Sequence, residues 1–153
     1  MHHIARRALH LGPALACGVT LVSSLLLTLA HASPLRADHP LIGSWRVQLP
    51  DMDCAEIYRI HADGTMHVTS AEEVSDSQFE ISDRPGADGF YTWVDRIVRD
   101  NGKPDCSGNI TPIGHTSSNF ILLHPSGEAF LLCEKEDVDT CIGPFERVAT
   151  DEI

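Results

Sequence analysis

From Pro40 to Val148 the chain alternates short apolar stretches with turn chemistry, roughly every eight to twelve residues. The turn marks are LPDMD (49–53), ADGT (62–65), DRPGADG (83–89), DNGKPD (100–105) and HPSGE (124–128). The stretches between them are rich in Val, Ile, Phe, Tyr and Trp, and no sustained helical period runs through them. This rhythm predicts an all-β domain, an antiparallel sandwich or barrel. In the first stretch Leu41, Gly43, Trp45, Val47 and Leu49 share one face, and Ile42, Ser44, Arg46 and Gln48 share the other. A half-buried strand has that period, with Trp45 turned inward. Gly43 lies two residues before Trp45 on the same face and leaves room for something to cross the strand there.

Side-chain parity also sets the register of the next hairpin. If Ala62-Asp63-Gly64 is a three-residue loop with Gly64 in the left-handed conformation, His61 pairs with Thr65. Tyr58, Ile60, Met66 and Val68 then share an apolar face, while Arg59, His61, Thr65 and His67 share the opposite one. A two-residue loop would set Ile60 opposite His67 and mix the faces, so the longer loop is expected. Later stretches, GFYTWVDRIV (89–98), NFILLH (119–124) and AFLLC (129–133), carry apolar residues on both parities. Such strands are covered on both sides, here by a helix, a loop or a second subunit. Ala71 to Ser77 is polar and reads as a connection with room for one helical turn.

The first thirty-two residues follow other rules. Arg6 and Arg7 precede an apolar run from Val19 to Ala30, and Ala30-His31-Ala32 has the small-x-small form of a signal-peptidase site. A span needs about 20 apolar residues, so 1–32 is expected to be a cleaved signal peptide, not an anchor. Lipidation at Cys17 fits less well, because most of the apolar run follows it. The arginine pair has no further twin-arginine context. Residues 33–153 then form one domain, long enough for a single core. The chain carries a formal charge of −11, and loss of Arg6 and Arg7 makes it more negative. That excludes nucleic acid and anionic membrane surfaces as expected partners, and stable membrane insertion is not expected after cleavage. Cys54, Cys106, Cys133 and Cys141 remain, an even number that reads as two disulfides in an exported chain. CEKEDVDTC is a polar turn between apolar stretches, which favours 133–141 and leaves 54–106.

No catalytic signature stands out: there is no G-x-S-x-G, H-E-x-x-H or phosphate-binding glycine loop. Neither an enzyme nor a cofactor is therefore expected. Asp95 shares a face with Tyr91, Trp93 and Ile97, and Arg99 is its expected ion-pair partner from the same face. His61 and His67 could offer two imidazoles to a metal, but no third ligand accompanies them, so no metal site is expected.

Gly43-Ser44-Trp45 resembles the G-x-W signature of lipocalins and related calycin barrels. In that family the tryptophan closes one end of an up-and-down barrel, under an arginine from just beyond the last strand. Arg147 stands where that arginine is expected. The resemblance covers 40–148 and implies an antiparallel up-and-down barrel of about eight strands. Gly43, Trp45 and Arg147 would form its closure. Such a barrel is wide enough either to be filled by its own side chains or to hold one small ligand. The expected function is that of a periplasmic or secreted binding protein for a small hydrophobic molecule. Tyr58, Met66, Val68, Phe90 and Phe120 are the expected lining. The rival expectation is an interaction protein or inhibitor whose acidic surface binds a basic protein.

Overall fold

Eight strands, each antiparallel to its neighbours, close on themselves in chain order in the computed structural model, which describes residues 34–149. The signal peptide expected over 1–32, with Cys17 and the expected cleavage after Ala32, lies outside the described residues. The strands are β1 (Gly43–Gln48), β2 (Ala55–Ile60), β3 (Thr65–Ser70) and β4 (Glu73–Ile81), then β5 (Phe90–Asp100), β6 (Thr116–Leu123), β7 (Ala129–Cys133) and β8 (Cys141–Val148). β8 returns to β1, pairing Arg147 with Trp45, so neither strand is left as an open edge. One 3₁₀ turn, Val138–Thr140, is the only helix among the described residues, and none of them forms a helix long and apolar enough to cross a membrane.

The β2–β3 hairpin has the register that parity demands: Tyr58 pairs with Val68 and Ile60 with Met66. Gly64 takes φ 81°, and His61 donates its N–H to the Thr65 carbonyl. The barrel interior is graded. Leu41, Trp45, Val47, Ile60, Met66, Phe79, Tyr91, Ile121, Phe130 and Phe145 form an apolar core that includes the floor beside the start of β1. Towards the opposite mouth, Ser70, Glu73, Ser75 and Ser77 are buried.

That gradient explains where the sequence misleads. Ala71–Ser77 is not a connection: only Ala71 and Glu72 make the turn, and β4 starts at Glu73. Its alternation is inverted, with Glu73, Ser75 and Ser77 turned inward while Val74 is 39% exposed. Hydrophobic patterning cannot detect a strand whose inner face is polar. A second departure is a β-bulge between β4 and β5, where Ser77 pairs with Ile97 but its neighbour Asp76 pairs with Arg99. The extra residue, Val98, reverses parity beyond it. Arg99 therefore leaves the Asp95 face and joins Asp76 outside, and Asp100 comes opposite the buried Ser75.

Loops supply part of the expected outer cover. Gly86 donates its N–H to the Phe90 carbonyl, and a Cβ on Gly86 would stand 3.7 Å from Glu136 of the β7–β8 connection. Val94 and Val98 remain 41% and 43% exposed. Two disulfides, Cys54–Cys106 and Cys133–Cys141, brace the mouth half. The first ties the start of β2 to the long β5–β6 loop, and the second ties the end of β7 to the start of β8. They place the chain in an oxidising compartment.

Candidate functional site

The floor is organised by one cation. Arg147 lies within β8, not beyond it, and its guanidinium carbon stands 4.1 Å from the centre of the Trp45 ring. Its N–H groups donate to the carbonyls of Pro40 (2.7 Å), Ile42 (3.0 Å) and Gly127 (3.2 Å). What crosses β1 at Gly43 is this side chain, since a Cβ there would meet Nη1 at 2.6 Å. Trp45 in turn donates its indole N–H to the Leu41 carbonyl and meets the Phe130 ring edge-on. Every polar group of Trp45 is satisfied without water, and the indole is fully buried. Gly43, Trp45 and Arg147 thus seal one end and leave no room for a ligand there.

Above the floor lies a cavity of about 180 Å³. Tyr58, Met66 and Val68 line it from β2 and β3, and Ser75 and Ser77 from β4. Trp93, Asp95 and Ile97 enter from β5, Ser117 and Asn119 from β6, and Leu132 from β7. Three of the five expected lining residues are therefore here, but Phe90 and Phe120 are not. Phe90 pairs with Leu122 and Phe120 with Cys133, on the parity opposite to Tyr91 and Ile121, so both rings belong to the outer side of the sheet. They were expected inside by parity, whereas the inward positions of β5 are Tyr91, Trp93 and Asp95 and those of β6 are Asn119 and Ile121. Sequence reasoning missed Ser75, Ser77, Ser117 and Asn119. The alternation of Ser117, Asn119 and Ile121 was the available signal.

Asp95 has no ion pair among the described residues; Arg99 is taken by Asp76. The Trp93 indole N–H donates to Asp95 Oδ1 at 3.0 Å. Burial pushes the Asp95 carboxyl above its ordinary range, opposed by the bonds from Trp93 and Ser77 and by His115. Tyr58 donates its hydroxyl to Glu56 at 2.8 Å, and Ser70 donates to the other Glu56 oxygen at 2.6 Å. Burial, then Glu56, Asp95 and Glu73, pushes the Tyr58 phenol well above its usual value. Higher in the barrel, burial and the neighbouring Asp100 push Glu73 up to about 7. Glu73 Oε1 and Asp100 Oδ2 are buried without hydrogen-bond partners.

His61 and His67 line a hollow on the outer wall together with Asp76. His67 Nδ1 lies 2.7 Å from Asp76 Oδ1, and the second oxygen of Asp76 bonds Arg99. Although burial raises the Asp76 carboxyl, those two partners hold it below the usual range. No group of three ligating side chains with metal-binding geometry occurs among the described residues. A separate, mostly apolar groove runs outside the barrel between Leu122, Leu131, Pro125 and Pro144.

Compared with protein-family models, curated proteins and solved structures, the chain matches none of them.

Proposed function

We propose that this chain is an exported binding barrel, lipocalin-like in plan, that holds one compact molecule in its interior in the periplasm or outside the cell. The observation that carries this reading is the cavity beneath the disulfide-braced mouth of a closed barrel. At about 180 Å³ it is smaller than the roughly 300–1,000 Å³ of pockets for drug-sized ligands. The occupant is accordingly a small molecule rather than a long acyl chain, with its hydrophobic part against Met66, Val68 and Leu132. Absence of a catalytic signature supports binding over turnover. The rival reading, capture of a basic protein by the acidic surface, gains less support because Arg59, Arg96 and Arg99 interrupt the outer wall.

A ligand here should change the fluorescence of Trp93, which lines the cavity, and leave Trp45 in the floor unaffected. Titration with compact aromatic and aliphatic compounds should therefore give a saturable signal that Trp93→Phe removes. Ser117→Phe, which fills the cavity, should abolish binding measured by calorimetry. Equal binding to the filled variant would contradict an interior site.

A further inference from the structure

We propose that the interior cavity is a site for a small organic cation, an amine on a compact apolar body, with its ammonium group on Asp95. This rests on the ligand-binding reading above and specifies the ligand's chemistry.

The first support is the absence of a counter-charge. Among the described residues, Lys, Arg and His contribute nothing to the cavity lining; Arg96 is exposed on the other face of β5, and the β-bulge at Val98 carries Arg99 outside to Asp76. A carboxylate facing a partly dry cavity without a cation is costly, and a bound ammonium would offset that cost.

Second, the two aromatic donors of the lining are already engaged. The Trp93 N–H is spent on Asp95, and the Tyr58 hydroxyl on Glu56, which also takes the Ser70 hydroxyl. The other polar lining groups, Ser75, Ser77, Ser117 and Asn119, can each accept as well as donate. An ammonium brings three donors and no acceptor and would find partners in all of them, whereas a carboxylate ligand would face Asp95 as a like charge. Charge-assisted bonds to a carboxylate are about twice as strong as neutral ones.

Third, the field extends beyond Asp95. Glu56, Glu73 and Asp100 all belong to the mouth half, and one oxygen each of Glu73 and Asp100 is buried with no partner. Glu73 is only 7% exposed. A cation approaching through the mouth passes these groups before reaching Asp95. The Tyr58 and Trp93 rings line the same space and suit a cation flanked by hydrocarbon.

The test uses three probes of one shape: 2-phenylethylamine, 2-phenylethanol and 3-phenylpropionate. Each is titrated by calorimetry into the protein expressed with its own leader. The amine should bind at least tenfold more tightly than the alcohol, and the propionate most weakly. Asp95→Asn should erase the amine's advantage while leaving alcohol binding within about twofold. Ser117→Lys provides a second arm, because residue 117 pairs directly with Asp95 across the β5–β6 ladder. A tethered ammonium there should fill the site, abolish amine binding and raise the melting temperature. Equal binding of amine and alcohol, tighter propionate binding, or an amine preference that survives either variant overturns the cation assignment. If none of the three binds but the neutral hydrocarbon propylbenzene does, and Ser117→Phe abolishes its binding, the cation assignment alone falls. If propylbenzene also fails, the interior-ligand reading falls with it.

Discussion

Gly43 lacks a side chain where Arg147 needs the space. Its φ of +134° and the 2.6 Å approach of Nη1 to any added Cβ make Gly43→Ala doubly unfavourable. We expect a loss of about 1–3 kcal/mol, read as a lower urea midpoint. Arg147→Met keeps the aliphatic stem but strands three backbone carbonyls near the floor, and should cost about 2–3 kcal/mol. An unchanged midpoint in both variants would mean the floor does not hold the barrel closed. Glu73 makes a pH-dependent prediction. Its carboxyl is raised from 4.5 to about 7, so the folded chain retains a proton there that the unfolded chain loses first. That contribution lowers stability as pH rises from about 4.5 to 7, by at most about 3 kcal/mol. Glu73→Gln should therefore stabilise the protein at pH 8 and have little effect at pH 4. Equal shifts at the two pH values would show that Glu73 titrates normally.

Among the elements, the two disulfides differ chiefly in the length of chain they close. Cys54–Cys106 spans 52 residues and Cys133–Cys141 spans 8. Chain-entropy arguments assign them about 4 and about 2.5 kcal/mol. Replacing the first pair with serine should lower the denaturant midpoint more than replacing the second, and should raise hydrogen exchange in the 101–115 loop. That loop is also held by the bond from the Cys106 N–H to Ser70. β1 and the β2–β3 hairpin were legible from local parity, Cys133–Cys141 from local spacing, and Cys54–Cys106 only as the pair that remained. β4 was not legible, because Glu73, Ser75 and Ser77 face inward and invert the pattern by which strands are recognised. Nor was the separation of Arg99 from Asp95, because one inserted residue at Val98 reverses every side chain beyond it.

For the whole molecule, the graded interior separates the part that holds the barrel together from the part proposed to bind. The apolar core and floor hold the barrel together, and the polar mouth half carries carboxylates that burial disfavours. Asp95→Asn should leave the melting temperature of the unliganded protein unchanged or raise it, since an amide can still accept from Trp93. If Asp95 instead completed a structural ion pair, the same change would cost about 3–5 kcal/mol. Differential scanning calorimetry at pH 7 distinguishes the two outcomes.

The sequence by itself determined a strand-rich chain, its first two turns, the inward Trp45 and the two disulfides. These follow from alternation, glycine geometry and spacing, which act over a few residues or through elimination. Only the closed tertiary structure decided that Arg147 crosses Gly43, that Phe90 and Phe120 lie outside, and that Arg99 is separated from Asp95. Those outcomes depend on register summed around a ring of strands, where a single bulge changes which charges share the interior.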